Sequence, residues 1–554
     1  MMMISSMISS KKVILILSSS ILLLSKGSHN LKAGVSACEF SEEYELPKVG
    51  PLSSDAPPGP HLTGIFGGLQ AWIVGLSKYE TPITLRFTSL IDAMMWNCVA
   101  AYSPSWKDAL TKKGAIIRTP STSTIQNGTE TVNLHTSDSR LMCIVNAWLT
   151  VVEDWVPEAL DPMLGYADQF QYFLPKSHGF DPDVDACFFD NDITNENERA
   201  KCLETLAQEK CYAPSTVGKI IGRQVTEYGR NDGWNAYGTL NSDGTPCTSN
   251  CRRFTDRTGY RPKMHHKAKK RWQPLLEDDG RGYFTRQEHV TPHIGTLGKP
   301  LVLSREEMNS RKLPKPDFSY AKESRKVMER MSKLDDEKKM LIEFFDDKIK
   351  MFLSLVSTVI FAGASFEQVL NYVVGVGAGD FDALLLAWKE KVFHDRVRPT
   401  TFIQKQMGNE SFQTWPGPFS TSNKRIKGKN FEAYTRVMPH SEYVSGSACI
   451  CQAAYEFTDM WLDKVMGISN STQITLPMFP AGSSMVEPGM TPASDIAPIT
   501  MNNLLEFRNT CGQSRLDGGM HFTDSVSDAY KLCEGVGVAA ALKSFELWDM
   551  TPTP

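Results

Sequence analysis

From Ser332 onward the chain repeats one pattern, apolar residues recurring at helical spacing with few strand signals between them. Leu341 to Val356, Ser365 to Val376 and Phe381 to Phe393 read as helices, and others are predicted near Tyr443 to Leu462, Pro498 to Asn509 and Ser527 to Phe545. The same spacing marks Pro82 to Ala101, Arg140 to Trp155 and Pro214 to Tyr228 nearer the start. Asp181 to Asn197 is acidic and irregular, and Asn235 to Arg325 is rich in turn signals. The expected fold is therefore all-α, two packed helical bundles joined by a long irregular connection. The expected division is an N-terminal helical domain over 38–325, including a loop-rich, Cys-containing connector, and a C-terminal bundle over 326–554.

A formal net charge of -4 over 554 residues offers no field for nucleic acid, so any anion site must be local. That makes Trp388-Lys-Glu-Lys391-Val-Phe-His-Asp-Arg-Val-Arg398-Pro399 informative. Lys391 and Arg398 are seven residues apart, which is two helical turns, so both cations are expected on one helix face. Pro399 should end that helix by pushing Arg398 out of the α region. Arg offers a planar fork of donors and Lys a point charge, a pairing that suits a tetrahedral oxyanion. The competing reading is a solvated face paired with Glu390 and Asp395.

Two further stretches join it. Met438-Pro-His-Ser-Glu-Tyr-Val-Ser445-Gly446-Ser447 precedes an apolar helical run, placing Ser445 and Gly446 at a helix N-terminus with free backbone N–H groups. An ordinary N-cap is the plainer explanation. Ser514-Arg515-Leu-Asp-Gly518-Gly519-Met-His521 sets an Arg and a His on either side of a Gly-Gly turn, which can aim both at one point. Beside cations His521 should be neutral, with a ring nitrogen free to bind a metal centre or attack phosphorus.

Together these stretches resemble the vanadium-dependent haloperoxidases and type 2 phosphatidic acid phosphatases, whose motifs are Lys-x6-Arg-Pro, Ser-Gly-His and Arg-x5-His. Arg271-Trp-Gln-Pro-Leu275, Thr291-Pro-His293 and Trp388 are similar to the secreted bacterial branch, and the resemblance runs from about Ser215 onward. It implies vanadate carried on His521, its oxygens neutralised by Lys391, Arg398 and Arg515, with Ser445 and Gly446 donating hydrogen bonds. It further implies a haloperoxidase that uses hydrogen peroxide to oxidise halide to hypohalous acid, which halogenates a small organic substrate. Lys391 would polarise the peroxide. The alternatives are an acid phosphatase working through a phospho-histidine and a non-redox oxyanion-binding descendant. One position departs from the family: Ser447 stands where its acid/base His is expected, and Ser does not titrate near neutral pH. His440 could substitute, whereas His394 should point away from the Lys391 face.

The N-terminus reads as a signal peptide over 1–37, Lys11-Lys12 preceding a short apolar run from Val13 to Leu24, so a secreted, extracellular or periplasmic protein is expected. Val35-Ser-Ala-Cys38 also resembles a lipoprotein box. No later run is apolar enough to suggest a membrane span. Twelve cysteines fit export: Cys187, Cys202, Cys211, Cys247 and Cys251 suggest disulfides of unknown pairing, although Cys247 and Cys251 alone could form half a metal site. Sequons lie at Asn127, Asn409 and Asn470. The basic run Arg261 to Arg271 is expected to be a solvated connector, and His265, His266 and His293 structural.

Overall fold

The computed structural model describes residues 70–550 apart from 72, 76, 112–115, 125–130, 158–180, 264–268, 279–281 and 469–471. The signal-peptide expectation, Asn127, Asn470, His265 and His266 lie outside the described residues. The fold is mostly helical with a few two-stranded hairpins, as the periodicity predicts.

Helices α1 (Thr81–Ala101), α2 (Ser137–Trp155), α3 (Pro182–Phe189), α4 (Glu196–Glu209) and α5 (Pro214–Arg230) form the first group. Here α1, α2 and α5 pack against one another. Glycine lets α2 and α5 come close: a Cβ on Gly218 would stand 2.4 Å from the Cys143 carbonyl oxygen, and one on Gly222 would stand 2.7 Å from the Thr150 Cβ. The stretch from Asp181, expected to be irregular, starts α3 because the Asp181 carboxylate caps it, accepting from the Asp183 N–H.

The second group is α6 (Tyr320–Met331), α7 (Asp336–Asp346), α8 (Lys348–Phe361), α9 (Phe366–His394), α10 (Pro399–Gln406), α11 (Gly446–Trp461), α12 (Leu504–Asp517), α13 (Thr523–Cys533) and α14 (Val536–Leu547). Helix α9 is the axis: it packs on α1, α11 and α14, while α11 also meets α12 and α13. It is long and apolar enough to cross a membrane, yet 94% of its apolar window is buried inside the protein. A single apolar core runs without a break through both groups. A smaller cluster beside it holds Val397, Phe402 and Phe522.

Several helix boundaries differ from expectation; α12, expected over Pro498 to Asn509, spans Leu504–Asp517, its start set by the Asn503 cap. The two helices expected across 365–393 are one, because the glycines between them serve packing: a Cβ on Gly377 would stand 3.1 Å from Asp92 Oδ2, and one on Gly379 would stand 3.0 Å from the Ala540 Cβ. The single helix expected over Leu341 to Val356 is two, divided where the Asp347 carboxylate caps α8. The single helix expected over Ser527 to Phe545 is also two, divided at Gly535 with φ 78°. Finally, Tyr443 to Ser445 precedes α11 rather than opening it.

The irregular connection is pinned from α9, where the buried Asp382 carboxylate accepts the backbone N–H groups of Leu301, Val302 and Leu303 at 2.7–2.9 Å. The described disulfides are Cys98–Cys143, Cys187–Cys202, Cys247–Cys251, Cys449–Cys533 and Cys451–Cys511. Cys247 and Cys251 are thus paired with each other, not half of a metal site. The last two bridges tie α11 to α13 and to α12.

Candidate active site

Lys391 lies in the last turn of α9, and Arg398 is the N-cap of α10, in an extended conformation with φ -70° and ψ 151°. The spacing predicts both on one helix face, and the structure contradicts this because the helix ends between them. The helix stops at His394 because Asp395 turns into the left-handed region at φ 50°, its N–H bonding the Lys391 carbonyl at 2.8 Å. Tyr260 donates to the Asp395 carboxylate at 2.8 Å, and the Trp272 N–H donates to the Asp395 carbonyl at 3.1 Å. Pro399 then holds Arg398 extended.

The two cations converge on one short piece of backbone. Arg398 Nε donates to the His440 carbonyl at 3.0 Å, and Lys391 Nζ donates to the carbonyls of Ser441 and Glu442 at 2.9 and 3.1 Å. Ser441 returns a bond from its hydroxyl to the Lys391 carbonyl at 2.7 Å. The other edge of the Arg398 fork faces two imidazoles: Nη1 stands 3.2 Å from His521 Nε2, and Nη2 stands 3.0 Å from His440 Nδ1. The His440 ring packs on Trp388, centroids 4.7 Å apart.

The third stretch arrives from α12. Arg515 sits in its last turn, Gly519 at φ 73° reverses the chain, and His521 follows two residues later. Arg515 Nη2 donates to Asp346 Oδ1 at 2.8 Å, while its buried Nε and Nη1 have no hydrogen-bond acceptor among the described residues. Ser445 is the N-cap of α11, its hydroxyl oxygen accepting the Ala448 N–H at 3.3 Å. The plainer N-cap reading therefore describes its local role. Gly446 leaves space beside the cations, since a Cβ there would stand 3.3 Å from Trp388 and 3.7 Å from Lys391 Cε. Ser447 is half-buried, and no hydrogen bond joins its hydroxyl to the cations among the described residues.

Lys391, Arg398, Arg515, His440 and His521 are all buried. Burial, and then its charged neighbours, hold Lys391 well below the usual lysine range, and burial brings Arg398 down to about 10. His440 and His521 are depressed mainly by burial, then by Lys391 and Arg398, so both rings are neutral at neutral pH. Among the described residues, these three buried cations thus face the carboxylates of Glu442 and Asp346, and Arg515 Nε and Nη1 find no acceptor. An oxyanion is the ligand this donor set fits, with an unprotonated ring nitrogen beside it. No group of three or more His, Cys, Asp or Glu that could hold a metal ion occurs among the described residues.

The sequence reading gave no role to Glu442 or Asp346. Glu442 lay inside a stretch already singled out, an acid between a His and a Ser-Gly cap, and that was its only signal. Asp346 had none. His394 bonds Glu390 at 3.1 Å and stands outside the cluster, and His293 bonds the Trp234 carbonyl at 2.9 Å as a structural residue.

Fold and cluster together define a helical protein with a buried, cation-rich donor set at the meeting point of several helix ends. Residues 371–550 match the family model for the VCPO second helical-bundle domain. This stretch is therefore similar to the helical-bundle domain of the vanadium haloperoxidase superfamily. A holo-type bacterial vanadium-dependent chloroperoxidase shares the fold with a TM-score of 0.69 at 22% identity, covering 84% of this chain and 92% of that one. An apo-type bacterial vanadium-dependent chloroperoxidase gives 0.68 at 22%, covering 84% and 95%. A bacterial vanadium-dependent iodoperoxidase gives 0.54 at 15%, covering 87% and 96%. No curated protein matches the sequence.

Proposed function

We propose that the chain is a vanadate-dependent haloperoxidase that uses hydrogen peroxide to oxidise halide to hypohalous acid, which then halogenates a small organic substrate. The observation that carries this reading is the presence of Lys391, Arg398 and Arg515 about an imidazole whose Nε2 is turned toward Arg398. Bound vanadate would supply the electrophilic centre at which peroxide is activated toward halide. His521 would hold it through Nε2, the three cations would neutralise its oxygens, and Ser445 with the Gly446 N–H would donate hydrogen bonds. Lys391 would also polarise the peroxide. The paired cysteines support an exported protein working in an oxidising compartment.

Ser447 leaves the acid/base role open, and His440 is the titratable group in reach. Being neutral, His440 would serve as a proton acceptor and not as an acid, and its Nδ1 lies 3.0 Å from Arg398 Nη2 and 3.2 Å from the Ser441 carbonyl. Purified protein titrated with vanadate and assayed for peroxide-dependent bromide oxidation tests the reading. Turnover supports it; phosphate-ester hydrolysis blocked by vanadate points instead to an acid phosphatase with His521 as nucleophile, and binding without either reaction to an oxyanion-binding descendant. If His440→Gln leaves turnover unchanged, His440 has no part in proton transfer.

A further inference from the structure

His521 is held from both sides. Its Nδ1 lies 3.0 Å from Glu442 Oε1, and its Nε2 lies 3.2 Å from Arg398 Nη1. A guanidinium can only donate, so Nε2 must be the acceptor and Nδ1 must carry the proton. Glu442 Oε1 receives that proton and also the backbone N–H of Phe522 at 3.0 Å, which fixes the oxygen relative to the very segment that carries the ring. Glu442 is fully buried, and its backbone is tied to the cations through the Lys391 bond to its carbonyl and through its own N–H to the Arg396 carbonyl at 2.9 Å. The opposite tautomer would set two donors against each other at Arg398 and leave Nδ1 facing a carboxylate as a second acceptor.

We propose that Glu442 is a positioning residue that holds the proton of His521 on Nδ1, so that Nε2 offers its lone pair to the central atom of the bound oxyanion. This rests on the vanadate reading for the identity of the oxyanion, but the tautomer itself does not. The role belongs to the acceptor oxygen and not to the negative charge. A carboxylate beside three cations opposes anion binding, so by charge alone its removal would tighten the site.

Two isosteric variants separate these roles. Glu442→Gln keeps an acceptor oxygen and loses the charge; Glu442→Leu loses both. Ring-15N histidine labelling of the apo protein, with His521→Asn to assign the resonance, reads the tautomer directly. The wild type and Glu442→Gln should show Nδ1 protonated and Nε2 bare, and Glu442→Leu should lose that pattern. In calorimetry with orthovanadate, Glu442→Leu should weaken binding about 10–100-fold, the usual cost of losing a carboxylate behind a coordinating histidine, while Glu442→Gln stays close to the wild type. Inorganic phosphate, held by charge and hydrogen bonds alone, should bind Glu442→Leu no worse than the wild type. The inference is overturned if Glu442→Leu retains the wild-type tautomer, if the wild type carries its proton on Nε2, or if both variants change vanadate affinity alike. A wild type that binds phosphate but not vanadate would end the haloperoxidase reading, and the labelled ring would still decide what Glu442 does.

Discussion

Two buried guanidinium groups, Arg86 in α1 and Arg515 in α12, sit in opposite kinds of surroundings. Arg86 is complete: Nε pairs with Asp232 at 2.6 Å, Nη2 donates to the Gly229 carbonyl at 3.0 Å, and the group lies 5.0 Å from the Trp155 ring centroid. Arg515 spends one nitrogen on Asp346, leaves Nε and Nη1 without acceptors among the described residues, and shares its space with Lys391 and Arg398. A buried cation that brings its own anion stabilises the fold; a surplus of buried cations waits for an anion from outside.

The largest effect that would break this contrast is on the first site. Arg86→Met strands the Asp232 carboxylate in the core and should cost about 3–5 kcal/mol in urea unfolding; a loss near zero would mean that the pair is not structural. At the second site a ligand should do the stabilising. Orthovanadate at a hundred times its Kd should raise the unfolding free energy of the wild type by about 2.7 kcal/mol, and an unmoved transition would show that nothing binds. Arg398→Met should remove about 2 kcal/mol of anion binding, and because relief of its repulsion with Lys391 and Arg515 offsets the lost bonds to the His440 and Met520 carbonyls, it should cost the apo protein less stability than Arg86→Met does. Calorimetry and denaturation on the same sample check both halves, and a large stability loss would place Arg398 with Arg86.

The smallest effect is on pH. Because the Lys391 pKa is lowered in the folded apo protein, its charge is lost as pH rises through that lowered value. Anion binding favours the charged form, so above that pH it must take up a proton and its affinity must fall by up to about tenfold per unit. Calorimetry in two buffers of different ionisation enthalpy should detect the uptake. A flat profile would show that Lys391 keeps its charge without the ligand.

The residue types of the site were legible in the sequence because spacing and local turn chemistry carry them: Pro399 behind Arg398, Gly518-Gly519 between Arg515 and His521, Ser445 ahead of an apolar run. What closes the site was not. Glu442 meets His521 across 79 residues, and Asp346 meets Arg515 across 169, separations at which no sequence pattern marks a partner. Helix ends failed for a related reason. Gly377 and Gly379 read as a break locally, but Asp92 and Ala540 occupy the space that larger residues would need. Asp395, in contrast, leaves the helix three residues before Arg398, where the proline requires it, held by Tyr260 and Trp272 from the distant connector.

The bridges from Cys449 and Cys451 bear on the chemistry as well as the architecture. They fasten the helix that begins at Ser445 and Gly446 to the two helices flanking His521, and among the described residues no cysteine is left as a thiol. Hypohalous acid attacks thiolates before most other side chains. Under the proposed function, such a catalyst is best built with its cysteines already oxidised, and here the same two bridges keep the walls together.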